Sequence, residues 1–293
     1  MVSSGSSDPH FGPRSISSRP VLRLPRDPRI LVACQLSVNT LVGQFFLAFF
    51  QNWHVAGVAI GTALVAEMAL SWLTGHRRPS FISAYITGVS IGILLDSPVL
   101  WPYALGSFLA IGSKYVVHYQ GRHVFNPSNF GVVALLALAP KVVAVNGSQW
   151  TNVIWVMAAI AFLGFLVMRR IGRLDVVIAF IGSFAALSLI RAKLTSVSLG
   201  FAVGPLLGAA LQLFTFFMIT DPRTSPGTRS GRVLYGTTIA VVDALLRTAR
   251  VSYSPFLALF GVSAAQVALW IARDFWGVAR RRLTRSPLAE ERR

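Results

Sequence analysis

Ten long apolar runs succeed one another along this chain, parted by short gaps that hold most of its charge. They are residues 30–50, 54–74, 81–95, 99–117, 129–145, 150–168, 174–190, 196–220, 233–247 and 255–275. A helix needs about 20 residues to cross the hydrocarbon of a bilayer. The pattern therefore predicts an all-α polytopic membrane protein with about ten transmembrane helices. Only Asp-Ser-Pro (96–98) separates the third run from the fourth. Composition agrees. Charged residues are 13% of the chain and mean hydropathy is +0.62, against about 25% charged residues in a soluble domain.

A net charge of +17 would point to nucleic acid in a soluble chain. Here the arginines flank apolar runs instead of forming a patch, which excludes nucleic acid and makes anionic membrane lipids the expected partner. With the N-terminus inside, 22 of the 27 lysines and arginines fall in inner segments. That asymmetry orients the spans with both termini cytoplasmic; the expected location is a bacterial inner membrane. Residues 1–28 are rich in Ser, Pro, Gly and Arg and lack the apolar core of a cleaved signal peptide, so a disordered basic tail is expected. A second basic tail spans 277–293. Cys34 is the single cysteine; it excludes an internal disulfide and is expected to be a small buried hydrophobe.

Ten spans divide into five and five, and an odd number inverts the second half. The third run closes with "ILLDSP" (93–98) and the eighth with "FMITDP" (217–222). The chain is thus expected to hold two inverted five-helix repeats, 29–146 and 147–276, within a membrane domain of 29–276. The third and ninth runs are short, and "LGFAVGPLLGAA" (199–210) is rich in glycine. Interrupted helices of this kind line sites near the membrane interior.

Polar groups at membrane depth must find partners. Three clusters stand out: "SAYITGVSIG" (83–92), "GRHVFNPSNFG" (121–131) and "MITDPRTSPGTRSGRVLYG" (218–236). Pro127 forces Asn126 out of the helical region, and Asn126, Ser128 and Asn129 can cap the following helix. Its free N–H groups favour an anion, with Arg122 and His123 as further donors. Asp221, Thr224 and Ser225 repeat the theme. Either cluster also reads as a capped turn between helices. Metal and haem sites find no support, since His118 and His123 are five apart and share no helical face. Glu67 and Asp243 lie inside apolar runs and, with Asp96, are candidates for an ion path; structural ion pairs are the plainer alternative. Lys114 is expected to snorkel to the interface.

"YITGVSIGILL" (85–95), "WPY" (101–103), "IGSKYVV" (111–117), "GRHVFNPSNFG" (121–131) and "FFMITDPRTSP" (216–226), with the following "GR" and "YG", together resemble the NqrB/RnfD family of ten-span electron-transport subunits. Among its variants the chain looks most like the stand-alone UnbU type associated with enediyne biosynthesis. The resemblance implies inverted repeats and electron transfer through bound FMN or riboflavin, in a complex with redox partners on the cytoplasmic side. In the family one FMN is attached through its phosphate to a threonine. The matching stretch here is "NGSQWTNV" (146–153), with Thr151 as the acceptor. Its spacing is shorter than the family's, and a glycine and an acidic residue are missing. A noncovalent flavin would need aromatic walls and a few polar groups.

Three functions remain open at this point: a flavin-binding electron-transfer subunit, a transporter or channel of inverted-repeat architecture, and an accessory membrane protein of a biosynthetic cluster.

Overall fold

A computed structural model describes residues 27–46, 53–75, 78–147 and 153–284, with side chains to 276. The described residues are mostly helical. Full-length helices are α1 (Pro28–Phe46), α2 (Trp53–Leu73), α3 (Phe81–Leu94), α4 (Trp101–Val116), α5 (Pro127–Leu138), α6 (Ile154–Arg170) and α7 (Leu174–Thr195). Short pieces α8 (Leu199–Val203) and α9 (Ala209–Leu213) follow, then α10 (Arg229–Thr248) and α11 (Ser254–Thr284). Each of the ten apolar runs falls on a helix or on the α8–α9 pair. By length and apolarity, α2, α7 and the Ser254–Trp276 part of α11 can each cross a membrane. The α8–α9 pair becomes a fourth span if its 55° bend lies within one crossing.

Local chemistry explains the helix limits. Asp27 caps α1, its carboxylate accepting from the Arg29 N–H at 3.0 Å. Asn126 caps α5 in extended conformation, and its side chain accepts from the Asn129 N–H, as the Asn-Pro pair predicts. Thr228 caps α10 by accepting from the Gly231 N–H. α10 therefore has 20 residues and is not the short helix its apolar run implied. The fifth run ends early instead: α5 stops at Leu138, and Ala144–Val145 form strand β4. The Gly-rich stretch is broken as expected. A 3-10 turn at Gly204–Leu207 leads to extended Gly208, where Pro205 withholds an N–H. α9 then runs into a π-turn at Phe214–Met218, closed by the Ile219 N–H to the Phe214 carbonyl at 3.2 Å.

Packing follows a similar order in the two halves. α2 packs on α3 and α4, and α4 on α5; α7 packs on α8 and α10, and α10 on α11. Across the halves α1 meets α6, and α5 meets α11. Close approach needs glycine. A Cβ on Gly131 would sit 2.6 Å from the Gly106 carbonyl of α4, and one on Gly236 would sit 2.7 Å from the Val176 carbonyl of α7. One main core holds Phe180, Phe214 and Phe256 in edge or tilted contacts.

The connections gather at two ends of the bundle. At one end, β1 (Leu95–Asp96) pairs antiparallel with β4, joining the α3–α4 and α5–α6 connections. At the other, Arg29 at the start of α1 donates to Ser80, and side-chain contacts tie residues 122–126 and Arg173 to residues 221–226. A short hairpin of β2 (His118–Tyr119) and β3 (Arg122–His123) lies there. Cys34 is exposed on α1, contrary to the buried position expected, because its side of the helix faces outward and not into the core.

Candidate functional site

Two helix breaks face each other at that second end. The first is the extended Asn126 before α5. The second is the Thr220–Pro222 turn, reached through the π-turn; such turns are frequent at functional sites. Asn126 Nδ2 donates to Asp221 Oδ2 at 3.3 Å, and the Arg223 N–H donates to Asp221 Oδ1 at 3.0 Å. Between the breaks opens a cavity of about 340 Å³, within the range of small-ligand sites. Its walls come from the start of α1 (Arg29, Val32), from α3 (Ser83, Ile86, Thr87), and from Phe217 and Ile171. His123, Asn126, Ser128, Thr220 and Arg223 add polar edges.

The cavity is electrostatically organised. Arg223 lies 2.8 Å from His123 Nε2. Burial, and then the charge of Arg223, hold the His123 imidazole below its ordinary pKa, which keeps the ring neutral near pH 7. His123 Nδ1 is buried with no hydrogen-bond partner among the described residues. Arg29 forms an ion pair with Asp27 at 2.7 Å and donates to Ser80 Oγ at 3.0 Å. Its guanidinium holds the Asp27 carboxyl below the usual carboxylate range. Behind the wall the Ser80 N–H donates to Glu67 Oε1, and Glu67 pairs with Lys114 at 2.7 Å. Lys114 in turn reaches Ser83 Oγ at 3.3 Å. Both members of this pair are buried. Lys114 is therefore an internal counter-ion and does not snorkel.

The expected site residues divide into four groups. His123, Asn126 and Asp221 line the cavity. Arg122 does not. It lies beside His123 on one strand, and successive strand residues point to opposite faces; its guanidinium instead donates to the Ser225 carbonyl and sits 5.9 Å from the Trp270 ring. Asn129, Thr224 and Ser225 are buried behind the walls. Asn129 donates to the Phe256 carbonyl, bridging α5 to α11. Ser225 accepts from Arg173 at 3.0 Å, which fixes the 221–226 turn. Thr224 Oγ1 and Asn129 Oδ1 have no hydrogen-bond partner among the described residues. Thr151 lies outside the described residues.

The three acids sit on three different elements, Glu67 on α2, Asp96 in β1 and Asp243 on α10. Asp243 is fully buried, with Arg247 at 2.8 Å and Ser254 at 2.6 Å satisfying its oxygens. Asp96 is exposed in β1, at the opposite end of α3 from Ser83. Glu67 alone borders the cavity network. Sequence spacing hid Arg29, Arg173 and the Glu67–Lys114 pair, because their partners are distant in the chain. It also hid the placement of His118 directly opposite His123 across the hairpin. Among the described residues no group of three metal-ligating side chains occurs.

Such a molecule belongs, by fold and site, to the helical membrane-embedded proteins that keep a polar cavity at one end of a bundle with interrupted helices. Similarity to known proteins narrows this. Residues 142–258 match the model of the NQR2, RnfD, RnfE family. The chain is 34% identical over 107 residues to an ion-translocating oxidoreductase complex subunit of Erwinia tasmaniensis, covering 36% of this chain and 29% of that protein. It is 28% identical over 102 residues to the proteins of the same description in Citrobacter koseri and Salmonella newport, covering 35% of this chain and 28% of each of theirs. The matched segment thus spans less than a third of these relatives. The family match at 142–258 carries Ile171, Phe217 and the Thr220–Arg223 turn of the cavity wall, whereas Arg29, Ser83, His123 and Asn126 lie outside it.

Proposed function

We propose that this chain is a membrane electron-transfer subunit of the NqrB/RnfD kind, with a flavin in the cavity between the two helix breaks. The observation that carries this reading is the Asn126–Asp221 contact. It joins the break in the first half to the break supplied by the segment that matches the family. The donor set suits a flavin: arginines and neutral imidazole for a phosphate or ring edge, hydroxyls for exchangeable ring groups, and Phe217, Ile86 and Val32 for the ring faces. A bound FMN or riboflavin would supply the reversible electron transfer that these side chains cannot. The chain's own residues orient it. Asn126 and Asp221 fix the width of the cavity, Arg29 and Arg223 hold negative charge, and the apolar wall limits water. Thr151 remains the candidate for covalent attachment. Glu67, paired with Lys114 behind Ser83, is the acid placed to respond to a charge change in the cavity and so to couple it to ion movement.

Ten spans in two inverted repeats fit this function. Support comes from the matching order of packing in the two halves and from the α1–α6 and α5–α11 contacts, which pair equivalent helices. Alternate connections gathering at opposite ends is what ten crossings require. Redox partners of a complex would dock at the arginine-rich end. The test is absorbance between 350 and 500 nm of the protein purified in mild detergent from flavin-replete cells. A yellow protein is expected, and retention of colour after acid precipitation would assign a covalent bond. A colourless protein overturns the reading and favours transport without flavin.

A further inference from the structure

Arg122, left out of the cavity, faces a second cleft. This cleft is about 340 Å³ in volume and is lined by Tyr119, Gln120, Arg122, Trp270, Arg273 and Asp274. It forms where the β2–β3 hairpin leans on α11. Tyr119 Oη donates to Asp274, as does Gln120 Nε2 at 2.6 Å. Gln120 and Gly121 hold positive φ angles of 49° and 73° at the hairpin tip. The hairpin is thus latched to the helix, and the one carboxylate in the cleft is occupied by its donors. Two guanidinium groups remain. Arg122 retains its charge while bonded to a neutral carbonyl, and Arg273 has no hydrogen-bond or ion-pair partner among the described residues.

The position of the cleft decides what it would bind. The first charges on α11, Arg273 and Asp274, follow an apolar stretch that starts at Ser254, and the helix continues to Thr284. At 31 residues and about 1.5 Å per residue, it outruns the roughly 30 Å hydrocarbon. Trp270, Phe275 and Trp276 therefore fall at the membrane boundary, where aromatic rings concentrate. Leu269 is 62% exposed and lies one turn from Arg273 towards the membrane centre, on the same stripe as Trp276. This stripe offers an acyl chain a path below the two arginines.

We propose that this cleft is a specific headgroup site for an anionic phospholipid. The phosphate is held between Arg122 and Arg273, against the edge of Trp270, and an acyl chain follows Leu269. The inference rests on the membrane reading given above.

Retention of phosphatidylglycerol and phosphatidylcholine by the detergent-purified full chain, read by native mass spectrometry, tests it. The wild type is expected to prefer phosphatidylglycerol. Arg273→Gln should weaken retention roughly fivefold, and Arg122→Gln to a similar degree, from about 1 kcal/mol per basic group near a lipid surface. Exposed Arg169 and Arg170 lie at the same end but away from the cleft, and Arg169→Gln/Arg170→Gln should leave retention unchanged. Millimolar inorganic phosphate should not displace the lipid. An equal loss in that control, displacement by phosphate, or no preference in the wild type overturns the site. Arg122→Gln also removes a bond to the Ser225 carbonyl, so a misfolded Arg122 variant leaves the decision to Arg273→Gln. A chain that leaves the membrane fraction without detergent would instead refute the membrane reading itself.

Discussion

At the scale of single residues, His123 and Asn126 carry the clearest consequences. His123 is held neutral by burial and by Arg223. The unfolded chain takes up a proton below about pH 6.5, while the folded ring resists it. Stability is therefore fully present above that pH and declines as pH falls towards the lower folded value. Thermal unfolding in detergent should show this decline, and His123→Asn should flatten it. A decline of the same size in His123→Asn would assign it to other groups. Asn126→Ala removes the α5 cap and the contact to Asp221, and should cost about 1–2 kcal/mol. Asn126→Asp keeps the cap but sets a second carboxylate beside Asp221, so it should fold while losing affinity for an anion. Equal anion affinity in the Asp variant would remove the cavity's electrostatic role. The cap itself was legible, because Asn before Pro admits few conformations. The fate of Arg122 was not, because one residue of register in a hairpin sends a side chain to the other face.

Elements set the next level. Glu67 and Lys114 join α2 to α4 as a buried pair. Removing one partner leaves a buried charge and should cost about 3–5 kcal/mol, whereas Glu67→Leu with Lys114→Met together should come close to neutral. A double variant as unstable as either single one would show that the pair's own hydrogen bonds, and not charge compensation, hold α2 on α4. Tight helix contacts depend on missing side chains in the same way. Gly131→Ala would push a methyl to within 2.6 Å of the Gly106 carbonyl and should cost about 1–3 kcal/mol by overpacking. The 196–220 run announced its break through Gly and Pro. The true length of α10 was hidden, because its first turn, Arg229–Arg232, is polar and capped by Thr228.

For the whole molecule, the ten crossings proposed above would place the β1–β4 end and the hairpin end on opposite sides of the membrane. In a Cys34→Ala background, Val99→Cys and His118→Cys should react with an impermeant thiol reagent from opposite faces of intact cells or inverted vesicles. Labelling from the same face would remove the odd number of crossings between them. The arginine count already implied this arrangement, since charge segregation acts on each connection as it meets the membrane and needs no knowledge of packing.

Sequence alone determined that the chain is helical and membrane-embedded, where the helices break, and which polar clusters would have to find partners. Apolar length, proline, glycine and charge act locally, so they can be read along the chain. Only the tertiary structure decided which break faces which. It brought Asn126 to Asp221, Arg29 to Ser80 and Lys114 to Glu67, and it turned Asp243 inward to Arg247 and Ser254. Except for Asp243–Arg247, which lie one turn apart on α10, these pairings depend on how separate elements pack, where no local propensity acts. The cavity is therefore a property of how the two halves meet, and neither half contains it alone.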